Sequence, residues 1–165
     1  MEYLKKGYIT ITELNHLGLS PPADRIIRGP VAILECPQLI PCNPCESACP
    51  KGAIKVGTPI TNTPSVDWDK CTGCGSCIHQ CPGMAIFVMD GTKDVIGLPY
   101  EFLPLPKIGE EMLCLDRAGQ LKCKGQVVKV IDKKRQDRTA VIYLEVPKDY
   151  LMDVRNIRKV VAQNG

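Results

Sequence analysis

The sequence has no apolar run approaching the eighteen or so residues that a membrane span needs. Met1 to Thr10 contains no apolar signal core. A secreted disulfide scaffold is therefore not expected, although ten cysteines are many for 165 residues. The expectation is a cytoplasmic protein whose thiols are reduced or bound to metal. There is no Gly-rich phosphate loop, no flavin-binding fingerprint and no nucleophile–base pair. A large charge of either sign is also missing, since the formal net charge is +3. The length allows one ordinary domain or two small ones.

What is present is dominated by cysteine. Cys71 to Pro82 reads C-x-x-C-x-x-C-x-x-x-C-P. This spacing resembles the bacterial ferredoxin run that wraps a [4Fe–4S] cluster. Three thiolates on so short a loop reach three corners of one cubane only if the backbone coils round it. Gly73 and Gly75 permit that coiling, because glycine tolerates positive φ and close backbone approach. Zinc sites usually use two separated C-x-x-C pairs instead.

A second group lies upstream. Cys42, Cys45, Cys49, Pro50, Ala53 and Ile54 each recur 32 residues later, as Cys74, Cys77, Cys81, Pro82, Ala85 and Ile86. Such a repeat marks a two-cluster ferredoxin with pseudo-twofold symmetry, in which the fourth cysteine of each run serves the other cluster. The expected sets are Cys36, Cys42, Cys45 and Cys81 for one cluster, and Cys49, Cys71, Cys74 and Cys77 for the other. One position departs from the pattern. Leu39 stands where the first cysteine belongs, and Cys36 lies three residues earlier, across Pro37 and Pro41. Either Cys36 is the ligand on a bulged loop, or this centre is [3Fe–4S]; the two prolines favour the bulge.

The rest of the chain frames these groups. Residues 1–35 read as a leader, with a short helix capped by Thr10 and Glu13 and stopped at Gly18. A strand over 29–35 then enters the cysteine region. His16 reads as a surface residue. Trp68 is open between core packing and a place beside a cluster or partner. For His79, between the third and fourth cysteines, solvent exposure is the simpler reading; tuning a cluster through a hydrogen bond is the other. Residues 84–90 read as a closing strand. Residues 95–106 read as an extended, proline-punctuated connection. Strands follow at 112–115, 120–131 and 139–146, with a turn at Asp116 to Gly119, a solvated hairpin tip at Lys133 to Arg138 and a short helix after Pro147. Cys114 and Cys123 flank the first turn and are expected to face each other as small apolar residues. The predicted fold class is α+β: a leader (1–35), a ferredoxin-like pseudo-twofold two-cluster domain (36–90), and a small antiparallel β-domain for docking (91–165).

A cluster held by four cysteines has no open iron for substrate, so its work is one-electron transfer. Eight thiolates around two oxidised cores of about +2 each would bring the net charge near −1. That argues against nucleic-acid binding. It is also unlike an acidic, freely diffusing ferredoxin steered by charge.

Residues 36–90 thus resemble bacterial two-cluster ferredoxins. More narrowly, Glu35-Cys36, Ile40 to Glu46 and Cys81 to Ile86 resemble the small iron–sulfur subunits of multi-subunit flavin-dependent dehydrogenases of amino acids and amines. Dye-linked proline dehydrogenase, sarcosine-oxidase-like and hydrogen cyanide synthase complexes are of this kind. Gly109-Glu-Glu, Asp116 to Gly119, Glu145 to Lys148 and Val154 to Arg158 are similar to that group as well. The resemblance implies FAD-bearing partner subunits, with no FAD in this chain and no catalytic site of its own. A free-standing ferredoxin is the alternative, and a nucleic-acid-binding protein with structural clusters a more distant one. Two cubane sites predict about eight irons and eight sulfides per chain after anaerobic preparation, checked by iron and sulfide analysis.

Overall fold

A computed structural model describes residues 2–132 and 139–160. The expected hairpin tip at 133–138 lies outside the described residues.

The order of elements follows the repeat. Three short helices come first: α1 (Tyr3–Lys6), α2 (Ile11–His16) and α3 (Ala23–Ile26). Strand β1 (Val31–Leu34), helix α4 (Pro44–Ala48) and strand β2 (Ile54–Lys55) make the first half of the cysteine region. Strand β3 (Ser65–Val66), helix α5 (Ser76–Gln80) and strand β4 (Ile86–Asp90) make the second. The two helices are five residues long and sit 32 residues apart. The strands then cross over between halves. β1 pairs with β4, and β2 pairs with β3, both antiparallel. The backbone bonds flanking these pairs repeat as well: Glu35 N–H donates to the Ala85 carbonyl, and Asp67 N–H to the Ala53 carbonyl, each at 2.8 Å.

Five further strands complete the chain: β5 (Val95–Tyr100), β6 (Glu111–Leu115), β7 (Leu121–Ile131), β8 (Ala140–Glu145) and β9 (Asn156–Lys159). They join β1 and β4 in one seven-stranded sheet of order β1-β4-β5-β8-β7-β6-β9. The expected division after residue 90 is therefore crossed by a hairpin. Asp90 pairs with Val95, and β4 and β5 are neighbours. Residues 95–100 are a central strand rather than a connection. Pro99 is tolerated there as an interruption in a run that is otherwise apolar and mostly buried. β9 is a strand that the sequence pattern does not announce; it pairs with β6 at the far edge.

Burial explains the composition of these strands. In β1 and β4 every residue is buried, so both faces of the sheet are covered. Ile33, Phe87, Met89, Ile142 and Leu144 point into one core with Leu151, Val154 and Ile157. Ala32, Leu34, Ile86, Val88 and Val141 point to the other face, where Cys45, Cys77, Ile54 and Ile78 cover them. The cysteine region is thus one wall of the sheet's core.

Two buried charged groups tie the segments together. Arg25 of α3 donates to the carbonyls of Trp68 (2.7 Å), Gly29 (3.1 Å), Pro30 (3.1 Å) and Cys71 (2.7 Å). The expected leader is in this way stapled to the second cysteine loop. Glu35 accepts from Arg117 Nε at 2.9 Å, Arg117 Nη2 at 2.6 Å and Arg155 Nε at 2.6 Å. All three side chains are at most 8% exposed. Backbone carbonyls of Met152, Leu151 and Val154 take further guanidinium protons, and Arg155 lies 5.1 Å from the Phe87 ring centroid. Burial alone would raise the Glu35 carboxyl, but Arg155 and Arg117 hold it below the usual range. Burial pulls the Arg155 guanidinium down to about 10 while Glu35 opposes that. It stays charged at neutral pH.

The local expectations hold where only neighbouring residues decide. Thr10 and Glu13 form a reciprocal capping box. Asp116 to Gly119 is the β6–β7 turn. Cys114 and Cys123 are direct cross-strand partners. Because two guanidiniums depend on one carboxylate, Glu35→Ala should lower unfolding free energy by about 3–5 kcal/mol, measured by urea denaturation.

Candidate metal centres

Each half of the repeat presents its cysteines from a loop that runs into a short helix. Cys45 and Cys77 occupy equivalent places in α4 and α5, and both are buried. Cys49 and Cys81 follow the helices as C-caps, with φ,ψ of −80°,107° and −77°,109°. Their sulfurs accept from equivalent amides, Ala53 N–H at 3.2 Å and Ala85 N–H at 3.4 Å. The 32-residue sequence repeat is therefore a repeat of backbone conformation and of sulfur hydrogen bonding.

The eight cysteines fall into two groups. Cys36, Cys42, Cys45 and Cys81 line one cavity, with Leu34, Pro44 and Ile86 among its other walls. Cys49, Cys71, Cys74 and Cys77 line a second, with Ala32, Ile54, Gly73 and Gly75. In each, three thiols come from one half and the fourth from the other. Charge coupling follows the same division. Burial, then Cys81, then Cys36 and Cys42 push the Cys45 thiol up to about 11. Burial, Cys71, Cys74 and Cys49 push Cys77 up to about 12. Thiols so held are neutral when alone and lose their protons only to a metal that supplies positive charge. Among the described residues, no three His, Cys, Asp or Glu side chains are grouped so as to hold a single metal ion. Each cysteine set surrounds an open volume instead, which fits a multi-iron core with thiolates at its corners.

Cys36 lies in the first group despite its displaced position. Burial raises its thiol, and Cys81 and Cys42 add to the rise. Leu39, at the expected position, is 74% exposed. The Pro37–Pro41 segment thus turns the leucine outward while Cys36 reaches the cavity from the end of β1.

The second loop coils as its glycines require. Gly73 and Gly75 have φ of +61° and +78°. A Cβ on Gly73 would lie 2.5 Å from the carbonyl carbon of Pro30. Cys71 Sγ accepts from Ala32 N–H and Gly73 N–H, both at 3.4 Å. At Cys74 burial acts upward, but hydrogen bonds with Ser76 and Thr72 hold the thiol below its usual value.

Other expected residues separate. His16 is exposed. His79 is buried, contrary to the simpler reading, because α5 lies on the sheet at β5 and β8. Its Nδ1 lies 2.7 Å from the Thr139 carbonyl. That oxygen can only accept, so Nδ1 carries the proton. Trp68 is half-buried; its carbonyl accepts from Arg25, and its indole Nε1 is buried without a hydrogen-bond partner. Cys114 and Cys123 line neither cysteine cavity. Arg25 and Tyr143 reach the second loop without any local sequence signal.

Residues 64–87 match the family model described as "4Fe-4S binding domain". The match takes in Cys71, Cys74, Cys77 and Cys81. The chain carries a ferredoxin-type 4Fe-4S binding domain. Relatives of this domain include a component of an ion-translocating oxidoreductase complex from Methanosarcina acetivorans, 45% identical over 47 residues, or 28% of this chain and 17% of the relative. A ferredoxin-type protein NapF from Haemophilus influenzae is 38% identical over 53 residues, 31% of this chain and 30% of the relative. An aliphatic sulfonate oxidoreductase polyferredoxin-like subunit from Pyrococcus furiosus is 33% identical over 92 residues, covering 50% of each. The chain spans at most half the length of these relatives. No solved structure matches it at the same significance. No helix among the described residues is long and apolar enough to cross a membrane.

If Cys36 closes the first site, Cys36→Ala should lower iron content by roughly an eighth (conversion to a three-iron centre) to a half (loss of the cluster) and leave the second site loaded. Iron analysis with electron paramagnetic resonance checks this, and full iron in both sites would remove Cys36 from the ligand set.

Proposed function

We propose that this chain is an iron–sulfur electron-transfer subunit that holds two [4Fe–4S] clusters in a ferredoxin-like, pseudo-twofold unit. Cys36, Cys42, Cys45 and Cys81 hold one; Cys49, Cys71, Cys74 and Cys77 hold the other. The observation that carries this reading is the pair of four-cysteine cavities, each built from both halves of the repeat.

The chemistry follows from the donor set. Bound clusters supply one-electron transfer, and four cysteines per site leave no iron open to substrate. The chain's own contribution is positional. Amide donors of Ala53 and Ala85 stabilise charge on the Cys49 and Cys81 sulfurs. Ile54, Ile86 and Leu34 give each site an apolar wall on the side of the sheet.

The partner is an FAD-dependent dehydrogenase of amino acids or amines, in a hetero-oligomer whose flavin lies in another subunit. Two observations support this. Relatives of the ferredoxin-type domain include subunits of oxidoreductase complexes. Three of the segments that carry the narrower resemblance, Glu35-Cys36, Asp116 to Gly119 and Val154 to Arg158, also meet in the buried Glu35–Arg117–Arg155 group. That group joins the sheet's far hairpin to the first cysteine site. The function of the extra strands is then to dock the electron carrier in its complex.

Affinity purification of the chain at native expression level should recover a flavoprotein, seen as a flavin absorbance band and as amine- or amino-acid-dependent dye reduction. A carrier that purifies alone and serves unrelated redox enzymes would establish the free-ferredoxin alternative.

A further inference from the structure

The two cysteine sites are not equivalent, and the difference is centred on one phenol. Tyr143 of β8 leans across the sheet toward the second site. Its ring lies over Gly97, its partner on β5, where a Cβ would come within 2.5 Å of ring Cε1. Lys129, its partner on β7, holds Nζ 5.2 Å from the ring centroid. The hydroxyl reaches off the sheet to the cysteine loop. A Cβ on Gly75 would lie 2.7 Å from it, and Gly75 stands directly between Cys74 and Ser76-Cys77. Two glycines therefore make room for one side chain, one beneath the ring and one before the hydroxyl. Tyr143 also packs against the apolar group containing Cys77, Ile78 and Val141.

The repeat has no counterpart to this arrangement in the first half. The position equivalent to Gly75 is Asn43, with φ of −143° rather than the left-handed +78°. The sulfur-directed amides of Ala53 and Ala85, by contrast, are common to both halves. What the halves share cannot make their sites differ. Tyr143 can.

We propose that Tyr143 tunes the second site: its hydroxyl donates a hydrogen bond to a thiolate sulfur of the Cys74–Cys77 loop and raises the reduction potential of the cluster held there. The inference rests on the two-cluster reading. An ordinary phenol, with a pKa near 10, is a donor at neutral pH. A donor aimed at a ligand sulfur stabilises the added negative charge of the reduced state, so the reduced form is favoured. One electron enters from the reductant, the hydroxyl keeps its proton, and no covalent bond forms or breaks. Tyr143 is a positioning residue in this role; it touches the ligands and not a substrate.

The test uses the full chain, reconstituted anaerobically and titrated with dithionite under electron paramagnetic resonance. The native protein should show two one-electron steps, with Cys74→Ser identifying which belongs to the second site. Tyr143→Phe keeps the ring, so iron content and thermal midpoint should be unchanged. The second-site step should move to lower potential while the first stays in place. In the native reduced protein, electron–nuclear double resonance should show a proton coupling that vanishes in deuterated water and is missing from Tyr143→Phe. Unchanged potentials, an equal movement of both steps, or loss of iron in Tyr143→Phe would each overturn the proposal. A native protein with a single one-electron step would instead remove the two-cluster reading itself, before any variant is compared.

Discussion

The structure depends on an exchange between two halves that resemble each other. The first strand of each half pairs with the last strand of the other: β1 with β4 and β3 with β2. That crossover brings the cysteine ending each helix into the cavity built by the opposite loop, so each cavity draws on both halves. Neither half contains a complete four-cysteine site. Local folding of one loop does not create a site without the long-range pairing that delivers the fourth thiol.

The sheet then makes this unit part of something larger. β1 and β4 belong at once to the strand exchange and to the seven-stranded sheet. Their runs Val31-Ala-Ile-Leu and Ile86-Phe-Val-Met are apolar at every position because the cysteine region covers one face and the C-terminal segment the other. A free-standing unit would have left one face for water and shown alternation instead. The buried Glu35, directly before Cys36, fastens the same junction to residues 82 and 120 positions away. Burying three charges is costly in isolation, and the two short bonds on one carboxylate oxygen, together with the carbonyls around both guanidiniums, offset that cost. The arrangement specifies how the far hairpin sits against the first cysteine site.

Features set by residues close in the chain were legible without coordinates. The capping box at Thr10 and Glu13, the left-handed Gly73 and Gly75, the turn at Asp116 to Gly119 and the facing cysteines at 114 and 123 each depend on a few neighbouring residues. Features set by distant partners were not. Residues 95–100 read as a connection because Gly97 and Pro99 mask a strand whose partners lie on β4 and β8. His79 read as exposed because nothing near it tells that α5 rests on a sheet built mostly from residues after 90. Arg25 looks in the sequence like any surface arginine; its four carbonyl acceptors lie as far as 46 residues along the chain.

The sequence by itself determined the chemistry: cysteine spacing names the cluster type, and the 32-residue offset names the duplication, because ligand geometry is imposed locally on short loops. Only the tertiary structure decided that β1 and β4 continue into one sheet with the C-terminal strands. It also decided that Glu35 is shared by two arginines and that Tyr143 stands over one loop and not its counterpart. Those outcomes depend on which distant backbone completes a hydrogen-bonded edge and which side chain fills the space a glycine leaves. Neither is written in the spacing of neighbouring residues.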